Sequence, residues 1–563
     1  MGKGKRAHTI SSAPAITSLV SIPRRASGDL VFSLAPSNFL TRPSSLQPPP
    51  PLLPLKPPRT LRWTPHTQPK HTYDELEHKL ESAPLVTLVL TYLNWFILIL
   101  LGHLRDFSGK TFKRGEYRHL QVNEGYAPLV SDFDSFYTRR LYMRIRDCWN
   151  RPITGVASRT VHLLHRSTQD YNKTFQLNGQ VSECLNFASY NYLGFAQNTG
   201  PCADAVEKET MERGLISSSP RAEAGSLDIH IQLERLVAEF VGKEAAMVIS
   251  MGFATNSTTI PALVGKGCLI ISDELNHSSI VFGARLSGAS VRVFKHNNMQ
   301  DLHDVLRESI SQGQPRIHRP WKKILVVVEG LYSMEGTIAN LPALLKLKDQ
   351  FKFYLYVDEA HSIGAIGEHG GGVCDLYGVD PARVDILMGT FTKSFGAAGG
   401  YIAASKNVID HLKLHNHAYV YAEPISIPVA QQVLTSMTIV CEQEGRWRIQ
   451  KLLDNSSYFA LRLREMGFIV YGDKGSPVIP LLLFNPAKIA AFSRGLLRRG
   501  VAVCVVGYPA TSIISSRARF CLSASHTKED IVTNTRVCMY KYGIDQALEI
   551  ISSVGEKLLL KYH

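Results

Sequence analysis

Several features are missing from this sequence, and each absence removes a class of protein. No phosphate-binding loop of the form G-x-x-x-x-G-K-[ST] occurs: Gly242-Lys243 is followed by Glu244, and Gly265-Lys266 by Gly267. The DEAH-box helicase reading that Val357 to His361 (VDEAH) invites needs that loop upstream, so it fails. The nine cysteines are an odd number and include no C-x-x-C pair, which suggests neither a disulfide framework nor a zinc site. The expectation is reduced, mostly buried thiols in the cytosol. No apolar run of signal-peptide type lies near the start, so no cleavable secretory signal is expected. Arg6 stands where a myristoylation signal needs Ser or Thr, which argues against lipidation. No internal repeat is visible.

The remaining composition is that of a folded protein with appendages. Of 563 residues, 45% are apolar and 20% charged, which excludes global disorder. The net charge of +14 comes from 62 Lys and Arg against 48 Asp and Glu and raises the question of nucleic acid or acidic membrane. Its location answers the question. Residues 1–70 hold ten basic side chains against one acid, Asp29, together with 13 of the 29 prolines. Proline has no amide donor and fixes φ, so this stretch forms neither helix nor sheet interior. It reads as a disordered arm with polyproline II character.

Leu85 to Gly102 (LVTLVLTYLNWFILILLG) contains no charge. At about 1.5 Å per residue, 18 residues are the lower limit for crossing a bilayer core of about 30 Å. A membrane helix is favoured over an interfacial or buried core helix. Arg105, Lys110, Lys113, Arg114 and Arg118 follow it, whereas Lys70 and Lys79 precede it, so a spanning helix places the bulk of the chain in the cytosol. From Asp132 to Trp149, Phe133, Phe136, Leu141, Ile145 and Trp149 recur at helical spacing with four arginines between them. The pattern is that of an amphipathic helix docking on the protein or the membrane surface, in preference to nucleic acid.

From Leu185 onward the chain reads as an α/β unit. Strands are expected at Ala246–Ser250, Leu269–Ser272, Val291–Phe294, Ile324–Glu329, Tyr354–Asp358, Ile386–Gly389 and Tyr401–Ala404. Runs apolar on both faces, such as Ile324 to Val328, suit a mostly parallel central sheet with helices on both faces. A smaller α+β unit begins near Tyr419, with helices expected at Ser456–Met466 and Ala487–Arg499 and strands at Val501–Val506 and Arg517–Ser523. The expected organisation is an arm over 1–70, a membrane-associated segment over 71–125, an N-terminal arm with the amphipathic helix over 126–184, a large domain over 185–418 and a small domain over 419–563.

Ligand sites in such sheets lie beyond the C-terminal strand ends, and four motifs converge there. GTFTKSFGAAGG (389–400) places Lys393 after an apolar strand, among the hydroxyls of Thr390, Thr392 and Ser394. A lysine in that setting suits a Schiff-base amine held near a phosphate. VDEAH puts Asp358 at a strand end, where a carboxylate pairs with a pyridinium nitrogen, and His361 within reach of a phenolic oxygen. SDELNHSSI (272–280) offers the His277 imidazole for stacking on a pyridine face. In MGFATNS (251–257), Gly252 permits close approach and the following helix N-terminus presents free amides to a phosphate. Each motif alone has a structural explanation; four in this order do not.

These motifs, with Asn191-Tyr192-Leu193-Gly194 and Glu329 to Gly336, resemble the α-oxoamine synthase family of pyridoxal-phosphate (PLP) enzymes, of fold type I. The resemblance narrows to the lysine-bearing subunits of eukaryotic serine palmitoyltransferases on FYTRRLYMRIRDCWNRPI, KHNNMQ, RPWKKILVVVEG, MGTFTKSFG, SPVIP and RARFCLSASHTKEDI, and on the N-terminal membrane helix. It covers about residues 71–550. It implies PLP-dependent decarboxylating condensation of L-serine with palmitoyl-CoA or a related acyl-CoA to 3-ketosphinganine, opening sphingolipid long-chain base synthesis at the endoplasmic reticulum membrane. Lys393 would carry the cofactor, Asp358 hold its ring nitrogen, and His277 stack on the ring. His361 and Ser333 would contact ring substituents, while Thr390, Thr392 and the Gly252-Phe253 backbone hold the phosphate. Arg519 would take the serine carboxylate, with Asn191 and Thr511 on the substrate side. The implied partners are a sister subunit lacking the lysine, in a heterodimer, and small membrane regulatory subunits; no metal and no nucleic acid are expected.

The chain departs from the family pattern at Gly371 (usually Arg), at Pro220, and at Ser512, which follows Pro509-Ala510-Thr511 in place of proline. The S-P-P turn reads Ser426-Ile427-Pro428, and a glycine-rich stretch after Cys441 is shortened to EQEGRWRIQ. Two rival readings remain: a sister synthase with another amino acid and acyl-CoA, and a non-catalytic scaffold, against which Lys393 argues.

Overall fold

In the computed structural model, residues 83–539 are described, together with Tyr73 and apart from 113, 121–124 and 129. The basic, proline-rich arm lies outside the described residues. The first strands in the chain are β1 (Ile153–Thr154), β2 (Thr160–Ser167) and β3 (Gln176–Asn186). Seven strands of the large sheet follow: β4 (Ala245–Ile249), β5 (Leu269–Asp273), β6 (Ser290–Phe294), β7 (Ile324–Glu329), β8 (Tyr354–Asp358), β9 (Ile386–Thr390) and β10 (Gly400–Ala404). Each agrees with its expected span to within a residue at either end. Their order is β4-β10-β9-β8-β7-β5-β6, and β10 alone runs antiparallel to its neighbours. The central strands are apolar on both faces because both are covered: Leu325 to Glu329 and Leu355 to Asp358 are all buried, as parallel sheets require.

This topology brings the C-terminal ends of β5, β7, β8 and β9 to one edge, where Glu329 lies beside Asp358 and Asp358 beside Met388 in register. The antiparallel β10 starts at the same edge, pairing Gly400 with Thr390 and with Ile249. The turn from β4 into the helix Gly252–Leu263 therefore arrives next to the turn after β9.

The remaining strands are β11 (Val478–Phe484), β12 (Val501–Ala502), β13 (Cys504–Val506) and β14 (Ser516–Cys521). The single strand expected over Val501–Val506 is divided at Val503. Its first half, β12, pairs parallel with β3 (Val501 with Leu185, Ala502 with Asn186), and its second, β13, pairs antiparallel with β14. One extended run thus serves a four-stranded sheet, β1-β2-β3-β12, and a three-stranded one, β11-β14-β13. Apolar patterning marks such a run as strand but carries no sign of a change of partner.

Two departures from the family pattern have local explanations. At Gly371 an added Cβ would stand 2.9 Å from Asp375 Cβ, and the Gly371 amide donates to Asp375 Oδ2 at 3.1 Å. After Cys441 only Glu442 separates the helices Ile427–Cys441 and Gln443–Glu465. Gly445 makes that junction possible, since its Cβ would meet Val440 Cα at 2.3 Å.

The apolar helix runs from Leu85 to Phe112, ten residues beyond the expected Gly102, and one 18-residue window has a mean hydropathy of 2.2. At about 1.5 Å per residue its 28 residues are long enough to cross a membrane. The extension is mostly exposed but is tied to the protein at two points. Asp106 is buried between Arg139, at 2.7 Å, and Arg140, and Phe136 stacks on His103 at 4.3 Å. The expected amphipathic helix is a helical run of changing pitch, α over Asp132–Tyr137, π over Thr138–Tyr142, α over Met143–Ile145 and 3-10 over Arg146–Cys148. It docks on protein: its arginines grip Asp106, Asp147 pairs with Arg494 at 2.7 Å, and Trp149 Nε1 donates to the Val505 carbonyl at 2.9 Å.

Candidate active site

Lys393 follows β9 in a tight turn and is half-buried beside the ends of β7, β8 and β9. Its Nζ stands 5.8 Å from the centroid of the Tyr190 ring. Burial lowers its amine to about 8 from the ordinary 10.5, against the opposing pull of Asp358 and Glu329. At pH 7 about a tenth of such an amine is uncharged, far more than of an ordinary lysine, which favours a nucleophilic or basic role.

Asp358, at the end of β8, is 3% exposed. Its Oδ1 accepts from the Ala360 amide at 2.9 Å and its Oδ2 from Asn256 Nδ2 at 2.7 Å. Asn256 is itself fixed, accepting from the Tyr356 hydroxyl at 2.7 Å and donating to Ser279 Oγ at 2.9 Å. Ser279 bonds His277 Nδ1 at 2.7 Å, and its amide donates to the same nitrogen at 3.2 Å. That amide makes Nδ1 an acceptor and leaves the proton on Nε2. His277 caps the helix Ser278–Ser287, and its own amide donates to Glu329 Oε1 at 2.5 Å. Burial lowers the His277 imidazole, and Asp358 partly opposes this. Burial, reinforced by Asp358, holds the Glu329 carboxyl well above the ordinary range. His361 is buried with Nδ1 2.8 Å from the Tyr192 hydroxyl, and burial with the nearby Lys393 charge keeps it well below the usual imidazole value.

Beside this cluster lies an anion cradle. A Cβ on Gly252 would come within 3.6 Å of Thr390 Cβ and 3.8 Å of Thr392 Cγ2, so the helix N-terminus Gly252-Phe253 abuts the two hydroxyls. Thr390 Oγ1 and Thr392 Oγ1 bond each other, and the Thr392 amide donates to Thr390 Oγ1 at 3.0 Å. The first amides of a helix have no intrahelical acceptor, so this corner suits a phosphate.

On the other flank Arg519 is buried in β14, its guanidinium 4.8 Å from the Tyr190 centroid. Its Nη1 reaches the Ser333 carbonyl at 3.4 Å, which places Ser333 here by its backbone. Among the described residues, Asn191 Nδ2, Thr511 Oγ1 and Arg519 Nε are buried without a hydrogen-bond partner. Buried polar atoms are almost always satisfied; other such atoms lie elsewhere, Ser309 Oγ and Tyr401 Oη among them, and the three at the expected substrate residues are open to a ligand. A buried low-pKa amine, a braced carboxylate, a free imidazole face and a phosphate corner fit a pyridoxal phosphate; the orphaned donors fit an amino-acid substrate.

The structure thus brings together Lys393, Asp358, His277 and His361, with Thr390, Thr392, Gly252 and Phe253 alongside, and Arg519 and Ser333 across Tyr190. Thr511 is carried on the loop preceding β14. Residue reading missed Asn256, Ser279, Tyr190 and Glu329. Asn256 had a signal: it lies four residues after Gly252, hence on the same helix face. Tyr190 had only its place before Asn191. The eight described cysteines are free thiols, six of them buried.

Comparison with known proteins gives three results. The aminotransferase class I and II family profile matches residues 182–533. Serine palmitoyltransferase 2 of Schizosaccharomyces pombe is 54% identical over 478 residues, covering 84% of this chain and 77% of that protein. Serine palmitoyltransferase 3 of Homo sapiens is 49% identical over 500 residues, covering 87% and 88%. Among solved structures, the Sphingomonas wittichii serine palmitoyltransferase superposes with a TM-score of 0.65 at 30% identity, covering 74% of this chain and 98% of its own. A second, described as holding PLP as the internal aldimine, has a TM-score of 0.64 at 26% identity, covering 73% and 98%.

Proposed function

The chain belongs to the class I and II aminotransferase family and, within it, to the PLP-dependent serine palmitoyltransferases, and on that premise we propose that it catalyses the decarboxylating condensation of L-serine with palmitoyl-CoA or a related long-chain acyl-CoA. The product is 3-ketosphinganine, the first intermediate of long-chain base synthesis. The observation that carries this reading is the buried Lys393 amine facing Asp358 and His277, with the orphaned donors of Asn191, Thr511 and Arg519 on the substrate side. It also separates this chain from a scaffold subunit, which has no use for a buried lysine of lowered pKa.

When bound, PLP supplies an electron sink for the carbon next to the amino group. The residues do the rest. Asp358, held by Asn256 and the Ala360 amide, would pair with the ring nitrogen. His277 offers its ring face, since its Nδ1 is already committed to Ser279. Thr390, Thr392 and the Gly252-Phe253 amides hold the phosphate, while His361, turned by Tyr192, and Ser333 meet the ring substituents. Arg519 binds the serine carboxylate with Nε, and Asn191 and Thr511 close the substrate side. Lys393 Nζ then takes the Cα proton, which its lowered pKa allows near neutral pH.

The domain division follows the same lines: a membrane-associated segment, a cofactor-binding domain over 185–418 and a small domain over 419–563 carrying Arg519. The apolar helix anchors the chain in the endoplasmic reticulum membrane with the catalytic part in the cytosol. The working unit is a heterodimer with a sister subunit lacking the lysine, joined by small membrane regulatory subunits.

The test is a substrate panel on the purified complex, with serine, alanine and glycine each against a series of acyl-CoA lengths. Serine with a long-chain acyl-CoA is expected to give the highest kcat/KM. Preference for glycine with succinyl-CoA would assign the chain to a sister synthase.

A further inference from the structure

The loop over residues 507–515 joins β13 to β14 and carries Thr511, whose hydroxyl is one of the orphaned buried donors. Within the loop, the Ala510 amide donates to the Gly507 carbonyl and the Ser515 amide to the Ser512 carbonyl, both at 3.0 Å. Two short turns fix its own path but not its placement on the protein. Its far end is held from the active-site side, where Arg517 Nε donates to the Ser515 carbonyl at 2.9 Å and Nη1 to the Met334 carbonyl at 2.8 Å. Its outer side is held by the apolar helix.

Trp95 lies in the middle of that helix and is one of its few buried residues, 7% exposed where its neighbour Phe96 is 63% exposed. Its indole Nε1 donates to the Ile513 carbonyl at 3.1 Å, and its ring meets Tyr508 edge-on at 6.0 Å. Tyr137, from the segment following the helix, packs on Tyr508 at 5.2 Å and donates its hydroxyl to the Tyr508 carbonyl. The preceding residue, Asn94, donates to Asn485 Oδ1 at 2.5 Å; Asn485 caps the helix Pro486–Leu497. A helix that only anchors a chain needs apolar residues throughout. This one spends a tryptophan N–H and ring on the loop that bears Thr511, at Ile513 and Tyr508, and an amide on the cap of a neighbouring helix.

We propose that Trp95 is a positioning residue for the active site: from the membrane helix it fastens the loop 507–515 and so sets the placement of Thr511. Docking of the helix and order of the substrate loop are then one equilibrium, and a chain whose helix is displaced binds its amino acid more weakly. The proposal rests on the reading of Thr511 as a substrate-side residue.

The experiment uses the full chain reconstituted with its partner subunit in phospholipid nanodiscs. Four variants are compared with the parent: Trp95→Phe, which keeps an aromatic ring and removes the N–H; Tyr508→Leu; the double variant; and Phe96→Leu as a lipid-facing control. Amide exchange at Ala510 and Ser515 is read without substrates, alongside KM for serine and kcat. Trp95→Phe is expected to speed exchange at those amides by about 3- to 10-fold, the factor carried by one neutral hydrogen bond, and to raise KM with kcat held. The double variant is expected to be no worse than the more severe single change, as for two residues of one fastening. Phe96→Leu is expected to change nothing. Parental exchange in Trp95→Phe overturns the proposal, and so does faster exchange spread over β4 to β10, which marks a general structural role. Exchange is independent of substrate identity, so a loosened loop in an enzyme that rejects serine would count against the proposed reaction and not against this fastening.

Discussion

Asn256 Nδ2 donates to Asp358 Oδ2 at 2.7 Å, joining residues 102 positions apart. The helix Gly252–Leu263 thus holds the cofactor-facing carboxylate from one turn while its N-terminus forms the phosphate corner. Replacing Asn256 with Leu leaves one oxygen of a buried carboxylate without its donor, which costs about 1.5–3 kcal/mol when the group is charged. PLP affinity is expected to fall by about 10- to 100-fold, read by cofactor titration of the apoenzyme. Unchanged affinity would show that Asp358 does not depend on this brace.

Lys393→Ala removes both the proposed attachment point for PLP and the proposed base. Turnover of serine with a long-chain acyl-CoA is expected to fall by at least about 10³-fold, the scale of a lost base or nucleophile. Circular dichroism should be unchanged, because removing a buried amine of low pKa takes no ion pair from the core. Activity within tenfold of the parent would move the catalytic amine elsewhere.

The Lys393 amine, lowered to about 8, gives the cofactor step its pH dependence. Below that value the amine is protonated and cannot attack an aldehyde; above it the neutral form dominates. The rate of PLP capture by apoenzyme should therefore rise through a midpoint near 8 and level off, whereas an exposed lysine would still be rising at 10. In Asp358→Asn the attraction favouring the charged amine is gone, and the midpoint should move lower.

Glu359 follows Asp358 and is buried, accepting from the Ser362 hydroxyl and the Val373 amide. Burial raises its carboxyl from 4.5 to about 8. Between those values the folded chain binds a proton that the unfolded chain has released. Its contribution to stability is therefore full below about 4.5 and is lost as pH rises through about 8. Glu359→Gln should flatten the decline in melting temperature between pH 5 and 8; an unaltered slope would assign that decline to other groups.

Most of the large sheet was legible because its central strands are apolar on both faces and β5, β7, β8 and β9 each end in a polar residue. The candidate site residues were legible for the same reason: Asp358 ends a buried run, and His277 and Lys393 follow one within four residues. What supports them was not. Asn256, Ser279 and Glu329 act on other functional side chains, and a residue whose partner is distant in sequence leaves no local pattern. The two roles of Val501 to Val506 were hidden likewise, since a strand reads the same whichever sheet it joins. The apolar helix outran its expected end because Asp106 and Arg105 halt a hydropathy scan, whereas Arg139 and Arg140 neutralise Asp106 in the fold.

The pairing of β12 with β3 also sets an order of events during synthesis. Leu185 and Asn186 meet Val501 and Ala502, so β3 leaves the ribosome and waits, with one edge open, until nearly the whole catalytic part has been made. At about 5–20 residues per second that interval lasts tens of seconds. An open strand edge is an invitation to wrong pairing, and a chaperone that shields β3 until Val501 emerges would govern the yield of active protein more than the stability of the finished fold.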